Sequence, residues 1–247
     1  MKKAIVLLYG VIAYFLFLGA ILYAIGFVGN LVVQKTIDGT PGVSLLQAIL
    51  INASLLLLFA LQHSIMARPA FKRWWTRFVP EQIERSTFVL LASLFLLLMM
   101  WKWQPMGGII WSVQNKVGIV ILTGLFFLGW AIVFISTFLI NHFDLFGLRQ
   151  VWVYFRGKKY EPLAFRIPLF YRFVRHPLYL GFLIAFWSTP VMTVAHLFFA
   201  AITTGYILTA IRFEEKDLIT HYGEKYLNYK KWVPKIIPFA KKNNIQK

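Results

Sequence analysis

Three polar groups in an otherwise apolar chain carry residue types that could do chemistry. "NHFDLFGLRQ" (141–150) holds His142, Asp144 and Arg149. "RHPLYLG" (175–181) holds Arg175, His176 and Tyr179, and "RFEEKD" (212–217) holds the paired carboxylates Glu214 and Glu215. These types serve proton transfer and the binding of anions and cations. Each group stands where a long apolar run begins or ends, and ionisable groups at such depth are costly unless paired or functional. Together they would form one polar cluster at a membrane rim. Each also has a purely structural reading. Carboxylates after a basic residue commonly sit at a solvated helix end. "NH" can be a C-terminal cap with a favourable dipole contact. "RHP" can anchor a helix whose first turn begins with Pro177. His63, beside Gln62 and Ser64, reads as a polar residue facing a helix interface, and His196 and His221 read as structural.

Several chemistries are excluded at once. The chain has no cysteine, so disulfides, thiolate metal sites and a cysteine nucleophile are absent. Thiol chemistry here would have to be done on a substrate. No pair among the five histidines has metal-ligand spacing, and no metal is expected. No glycine-rich phosphate loop and no Ser/His/Asp signature appear.

The elements that must position these groups are membrane helices. Of 247 residues, 59% are hydrophobic and 14% are charged, against about 25% charged in soluble domains. The net charge of +17 would suit nucleic acid, but the basic residues flank apolar runs, which is the pattern of a membrane surface. No nucleic-acid partner and no obligate protein partner are expected. Five uncharged runs cover residues 4–33, 43–66, 86–101, 117–140 and 177–211, and about 20 apolar residues cross a bilayer. The first run exceeds the roughly 7–15 residues of a signal-peptide core and reads as a retained helix. The third is short, with Trp101 and Trp103 as interfacial anchors. The fifth would make a helix of about 52 Å in a hydrocarbon core of about 30 Å. "WSTP" (187–190) breaks it, because proline disfavours helix at the preceding residue. That run becomes a hairpin whose first arm, roughly 178–189, is too short to span comfortably, so neighbouring helices or the interface must satisfy its turn.

The expected fold is therefore all-α: a polytopic membrane protein with four single helices and a C-terminal helical hairpin, in one domain. Of the 26 Lys and Arg, 23 fall on one side and only Lys35, Lys102 and Lys116 on the other. The positive-inside rule then places both termini and both long loops in the cytoplasm, with any active site at these helix ends open to the cytoplasm.

"RHPLYLG" at 175–181 resembles the Arg-His-Pro-x-Tyr-x-Gly motif of integral-membrane methyltransferases, where an apolar hairpin and a Glu-Glu pair follow. Both follow here. The tail "HYGEKYLNYKKWVPKIIP" (221–238) is similar to that group's terminal pattern, shared by isoprenylcysteine carboxyl methyltransferases and phospholipid N-methyltransferases. "LFALQHSIMARPAFKRWW" (58–75), "VPEQIERSTFVLLASLFLLLMMWKWQP" (79–105) and "FLINHFDLFGLRQVW" (138–152) extend the resemblance to nearly the whole chain and narrow it to the methanethiol S-methyltransferases.

The resemblance implies S-adenosylmethionine as methyl donor, a small volatile thiol as substrate, and dimethyl sulfide and S-adenosylhomocysteine as products. It implies substrate-side helices over 4–140 and a catalytic and cofactor-binding core over 141–247. In those roles Arg175 would fork onto the cofactor carboxylate, and Glu214 and Glu215 would accept from its ammonium or ribose. His176 and Tyr179 would donate to it or pack against it. Pro177 would start a helix whose free N–H groups face an anion. Leu180 and Gly181 would allow close approach along the hairpin. His142 would be the base, with Asp144 as orienter or partner and Arg149 completing the network. Two alternatives stay open: methylation of a lipid amine, a prenylated carboxylate or another thiol, and a non-enzymatic membrane protein that binds a ligand.

Overall fold

The computed structural model describes residues 2–238. Lys241, Lys242 and Lys247, counted above among the basic residues, lie outside that range. Five helices are long and apolar enough to cross a bilayer: α1 (Lys2–Gly29), α2 (Leu45–Ala67), α4 (Glu81–Lys102), α5 (Lys116–Ile140) and α9 (Val194–Tyr222). Shorter helices are α3 (Pro69–Trp75), α6 (His142–Leu145), α7 (Leu148–Phe155), α8 (Pro177–Trp187) and α10 (Glu224–Trp232). The chain is a polytopic, essentially all-α membrane protein, as its apolar runs imply. Its third span is longer than the uncharged run, because α4 begins at Glu81. Glu81 and Glu84 sit in its first turn, where carboxylates meet the positive end of the helix dipole.

The hairpin breaks where "WSTP" says it should. α8 ends at Trp187, and the chain runs through residues 188–190 into a three-residue strand, β2 (Val191–Thr193). β2 pairs antiparallel with β1 (Ile109–Ser112), which lies between α4 and α5. The sequence did not announce this ladder. It answers the need for backbone partners at the hairpin turn, and Val113 N–H adds a bond to the Pro190 carbonyl at 2.9 Å.

Two close approaches set the frame. α5 packs on α8 through Gly129 and Gly181. A Cβ on Gly181 would lie 2.7 Å from the Gly129 carbonyl oxygen, and one on Gly129 would lie 2.6 Å from the Gly181 oxygen. The close approach expected of Gly181 is therefore made to α5 rather than along the hairpin. Leu180 packs beside Ile207, Ile211 and Ile236. The second approach is at Gly147, between α6 and α7, where φ is +88° and a Cβ would meet Ser86 Oγ at 2.6 Å. It lets the start of α4 sit directly on the α6–α7 turn.

The apolar core occupies the half of the bundle remote from most of the basic residues. Phe27, Met100, Trp103, Phe126, Trp130, Phe186 and Phe199 form it. The other half is different. Counting through the Gly129–Gly181 contact at about 1.5 Å per residue, Pro177 lies roughly 26 Å along α5 from Lys116. Glu214 lies roughly 30 Å along α9 from Val194, and His63 roughly 27 Å along α2 from Leu45. Residues far apart in sequence thus reach one level, about one hydrocarbon thickness from the β ladder.

Candidate active site

Glu215 is the hub of that level. It is buried, and its Oε1 accepts from Arg175 Nε at 2.8 Å and pairs with Arg175 Nη2 at 2.7 Å. His176 Nε2 approaches the same oxygen at 3.2 Å, and Lys230 Nζ reaches Oε2 at 2.9 Å. Arg175, only 8% exposed, also donates through Nη1 to the carbonyls of Lys230 and Val233. Its backbone N–H bonds the Pro234 carbonyl at 2.9 Å, and that of His176 bonds the Lys235 carbonyl at 3.1 Å. The tail after α10 therefore clamps the Arg-His-Pro motif, and Ile236 plugs the α8–α9 groove.

Arg175 is held within the chain. A buried guanidinium must be paired, and the chain itself supplies the partners. The Arg175 fork closes on Glu215 and the tail. His176 is the N-cap of α8 and Pro177 its first residue, as expected, and no side chain caps that end.

The two glutamates divide the work. Glu215 is saturated, whereas Glu214 Oε2 is buried without a hydrogen-bond partner and lies 3.8 Å from His176 Nδ1. The Tyr179 phenol lies against the Glu214 carboxylate. The Tyr226 hydroxyl is likewise buried and unpartnered. Burial, with Glu215 and Glu214 nearby, raises its pKa well above the usual phenol value, so it stays a donor. A buried carboxylate oxygen and a buried hydroxyl, each without a partner and both near the Glu215 hub, suit a ligand bearing donors and acceptors. On the Glu215 side, Arg212, Lys216, Lys230 and Lys235 line a cleft of about 320 Å³ together with Glu215.

The second polar group is arranged differently from expectation. His142 and Asp144 lie in a single-turn helix, two residues apart, and do not meet. His142 is buried. Its Nδ1 bonds Thr137 Oγ1 and its Nε2 bonds the Tyr14 hydroxyl, both at 2.8 Å. The Thr137 hydroxyl donates to the Phe134 carbonyl at 2.7 Å, so it must accept from His142 Nδ1–H. Nε2 then accepts from Tyr14, an assignment made from the bonding network. The ring is stacked on Phe138 at 4.2 Å and edged by Phe143 and Phe146. Burial lowers its pKa below the ordinary histidine value. Asp144 instead accepts from Arg149 at 2.9 Å and from Tyr160 at 3.0 Å. Burial and the Asp144 carboxylate raise the Tyr160 pKa.

No family model and no solved structure matches this chain. Among curated proteins, the methanethiol S-methyltransferase of Crocosphaera subtropica is 56% identical over 244 residues, covering 99% of this chain and 96% of its own. The chain belongs to the methanethiol S-methyltransferase family. The Mycobacterium tuberculosis member is 53% identical, covering 97% of this chain and 98% of its own. Nurim of Sus scrofa is a more distant relative, 31% identical over 68% of this chain and 66% of its own.

Sequence reasoning missed Tyr14, Tyr226 and Lys230. Tyr226 and Lys230 fall inside the recognised tail, but nothing in their spacing marks them as site residues. Tyr14 sits in an apolar run 128 positions from His142.

Proposed function

We propose that this protein transfers the methyl group of S-adenosylmethionine to the sulfur of methanethiol, giving dimethyl sulfide and S-adenosylhomocysteine. The single observation that carries the cofactor half is the partnerless Glu214 oxygen beside Tyr179 and His176. The full-length similarity to methyltransferases named for methanethiol carries the substrate half.

Glu214 and Tyr226 fit the ammonium or ribose hydroxyls of the cofactor. Arg212, Lys216 and Lys235 form no ion pair among the described residues and supply positive charge for its carboxylate. Bound there, the cofactor supplies an electrophilic methyl on a sulfonium, and its leaving group is a neutral thioether that needs no acid. The protein has to hold, desolvate and align a thiol. Thiolate is the better nucleophile, so a proton must also leave the sulfur. His142, locked between Tyr14 and Thr137, positions the aromatic wall of Phe138, Phe143 and Phe146. Asp144, with Arg149, anchors the 141–160 segment through Tyr160. The basic helix ends face the cytoplasm, from which the soluble cofactor enters.

Calorimetry with S-adenosylhomocysteine tests the cofactor assignment. Glu214→Gln should weaken binding by more than tenfold, about 1.4 kcal/mol, and leave the fold intact, because Glu214 holds no structural ion pair of the Glu215 kind. Unchanged affinity removes Glu214 from the cofactor site.

A further inference from the structure

We propose that His63 is the residue that takes the proton from the thiol. This deepens the reading of the protein as a thiol methyltransferase and rests on it.

The argument begins with which histidine has a free nitrogen. Both nitrogens of His142 are bonded, His176 bonds Glu215, and His196 Nε2 bonds the Phe186 carbonyl. His63 differs. Its Nδ1 is buried with no hydrogen-bond partner, and its ring lies between Phe59, stacked at 5.5 Å, and Phe88 at 5.1 Å. A buried polar atom without a partner calls for an explanation, and a ligand that donates a proton supplies one. His63 also sits at the depth of Pro177 and Glu214. The next residue, Ser64, bonds Tyr206 of α9 at 3.0 Å, and Arg68 one turn on pairs with Asp217 of α9 at 2.9 Å. The same stretch of α2 is thus tied to the helix that carries Glu214.

The surroundings suit a small thiol. Phe59 and Phe88 give apolar walls, and the Arg85 guanidinium lies over Phe88 at 4.9 Å. Arg85 is itself set among Glu84 of its own helix and Asp144 and Tyr160 of other elements, with Lys72 of α3 close by. When the S–H bond breaks, its electron pair stays on sulfur and the proton passes to the Nδ1 lone pair. The resulting thiolate has the Arg85 guanidinium nearby. Methyl transfer to that sulfur gives the thioether, and the imidazolium returns its proton to solvent afterwards.

The test compares methanethiol with methaneselenol, which is already ionised at neutral pH. His63→Gln should lower thiol turnover at neutral pH by about 10²–10⁴-fold, keep S-adenosylhomocysteine affinity within about threefold, and methylate the selenol nearly as fast as the parent. An equal deficit with thiol and selenol overturns the proposal, as does full thiol turnover. A second measurement needs no variant. If the protein removes the proton, parent kcat/KM for methanethiol stays level between about pH 7 and 9. A tenfold rise per pH unit means that thiolate is drawn from solvent, which also overturns it. A parent enzyme that methylates no thiol at all instead sinks the underlying reading.

Discussion

Gly181→Ala places one methyl group at the close backbone contact between α5 and α8. Its Cβ would stand 2.7 Å from the Gly129 oxygen and 2.9 Å from both the backbone nitrogen and a side-chain methyl of Val133. Ordinary contact starts at 3.4 Å, so the α5–α8 separation must open by 3.4 − 2.7 = 0.7 Å. Two of the three obstacles are backbone atoms of a spanning helix and cannot rotate away. Overpacking of this kind costs about 1–3 kcal/mol. The displacement also travels, because Pro177 and His176 lie one turn before Gly181 on the same rigid helix. A misplacement of about 1 Å can lower a rate by about 10²-fold. Thermal unfolding in detergent should show a lowered midpoint, and product formation should fall by at least tenfold in protein that remains folded. Gly129→Ala should behave alike, since its Cβ meets backbone at 2.6 Å. If Gly181→Ala matches the parent in both assays, the helix contact does not position the site and the reasoning fails.

Arg175→Ala leaves Glu215 buried with one fewer cation, and breaking a buried pair costs about 3–5 kcal/mol; thermal unfolding should register a large loss, and Arg175→Lys a smaller one. Acid should destabilise the protein through His142. Its folded pKa lies below the ordinary 6.5, so the unfolded chain binds the proton first, and stability present above about pH 6.5 is lost as pH falls. His142→Phe should flatten that slope in unfolding curves taken from pH 7 to 5, and an unchanged slope would assign it elsewhere. Sidedness is checked with single cysteines in this cysteine-free chain. Gly42→Cys should react with an impermeant reagent from outside intact cells and Lys158→Cys only after permeabilisation; the reverse pattern inverts the topology.

The spans and the hairpin break were legible because they depend on apolar length and one proline. The Arg-His-Pro and Glu-Glu groups were legible because charge beside a membrane run is conspicuous. What each does was not. Glu214 and Glu215 are chemically identical neighbours, and only the positions of Arg175, His176 and Lys230 make one a structural hub and the other a free acceptor. Arg175 binds backbone carbonyls of Lys230 and Val233, and every residue carries such an acceptor, so no side-chain type marks it. His142 and Asp144, two positions apart, point to opposite sides of a single helical turn, while Tyr14 reaches His142 across 128 positions. The β ladder joins two short stretches about 80 residues apart that carry too little pattern to be seen. His63 is notable for a missing partner, which only a folded structure can reveal.

The most direct test of the central claim is product analysis with purified protein, methyl-labelled S-adenosylmethionine and methanethiol, with a lipid amine, a prenylated carboxylate and larger thiols run in parallel. Labelled dimethyl sulfide formed in step with S-adenosylhomocysteine, with Glu214→Gln depressing both, is the result this account predicts. Label appearing in the lipid or the carboxylate while methanethiol stays unmethylated would contradict it.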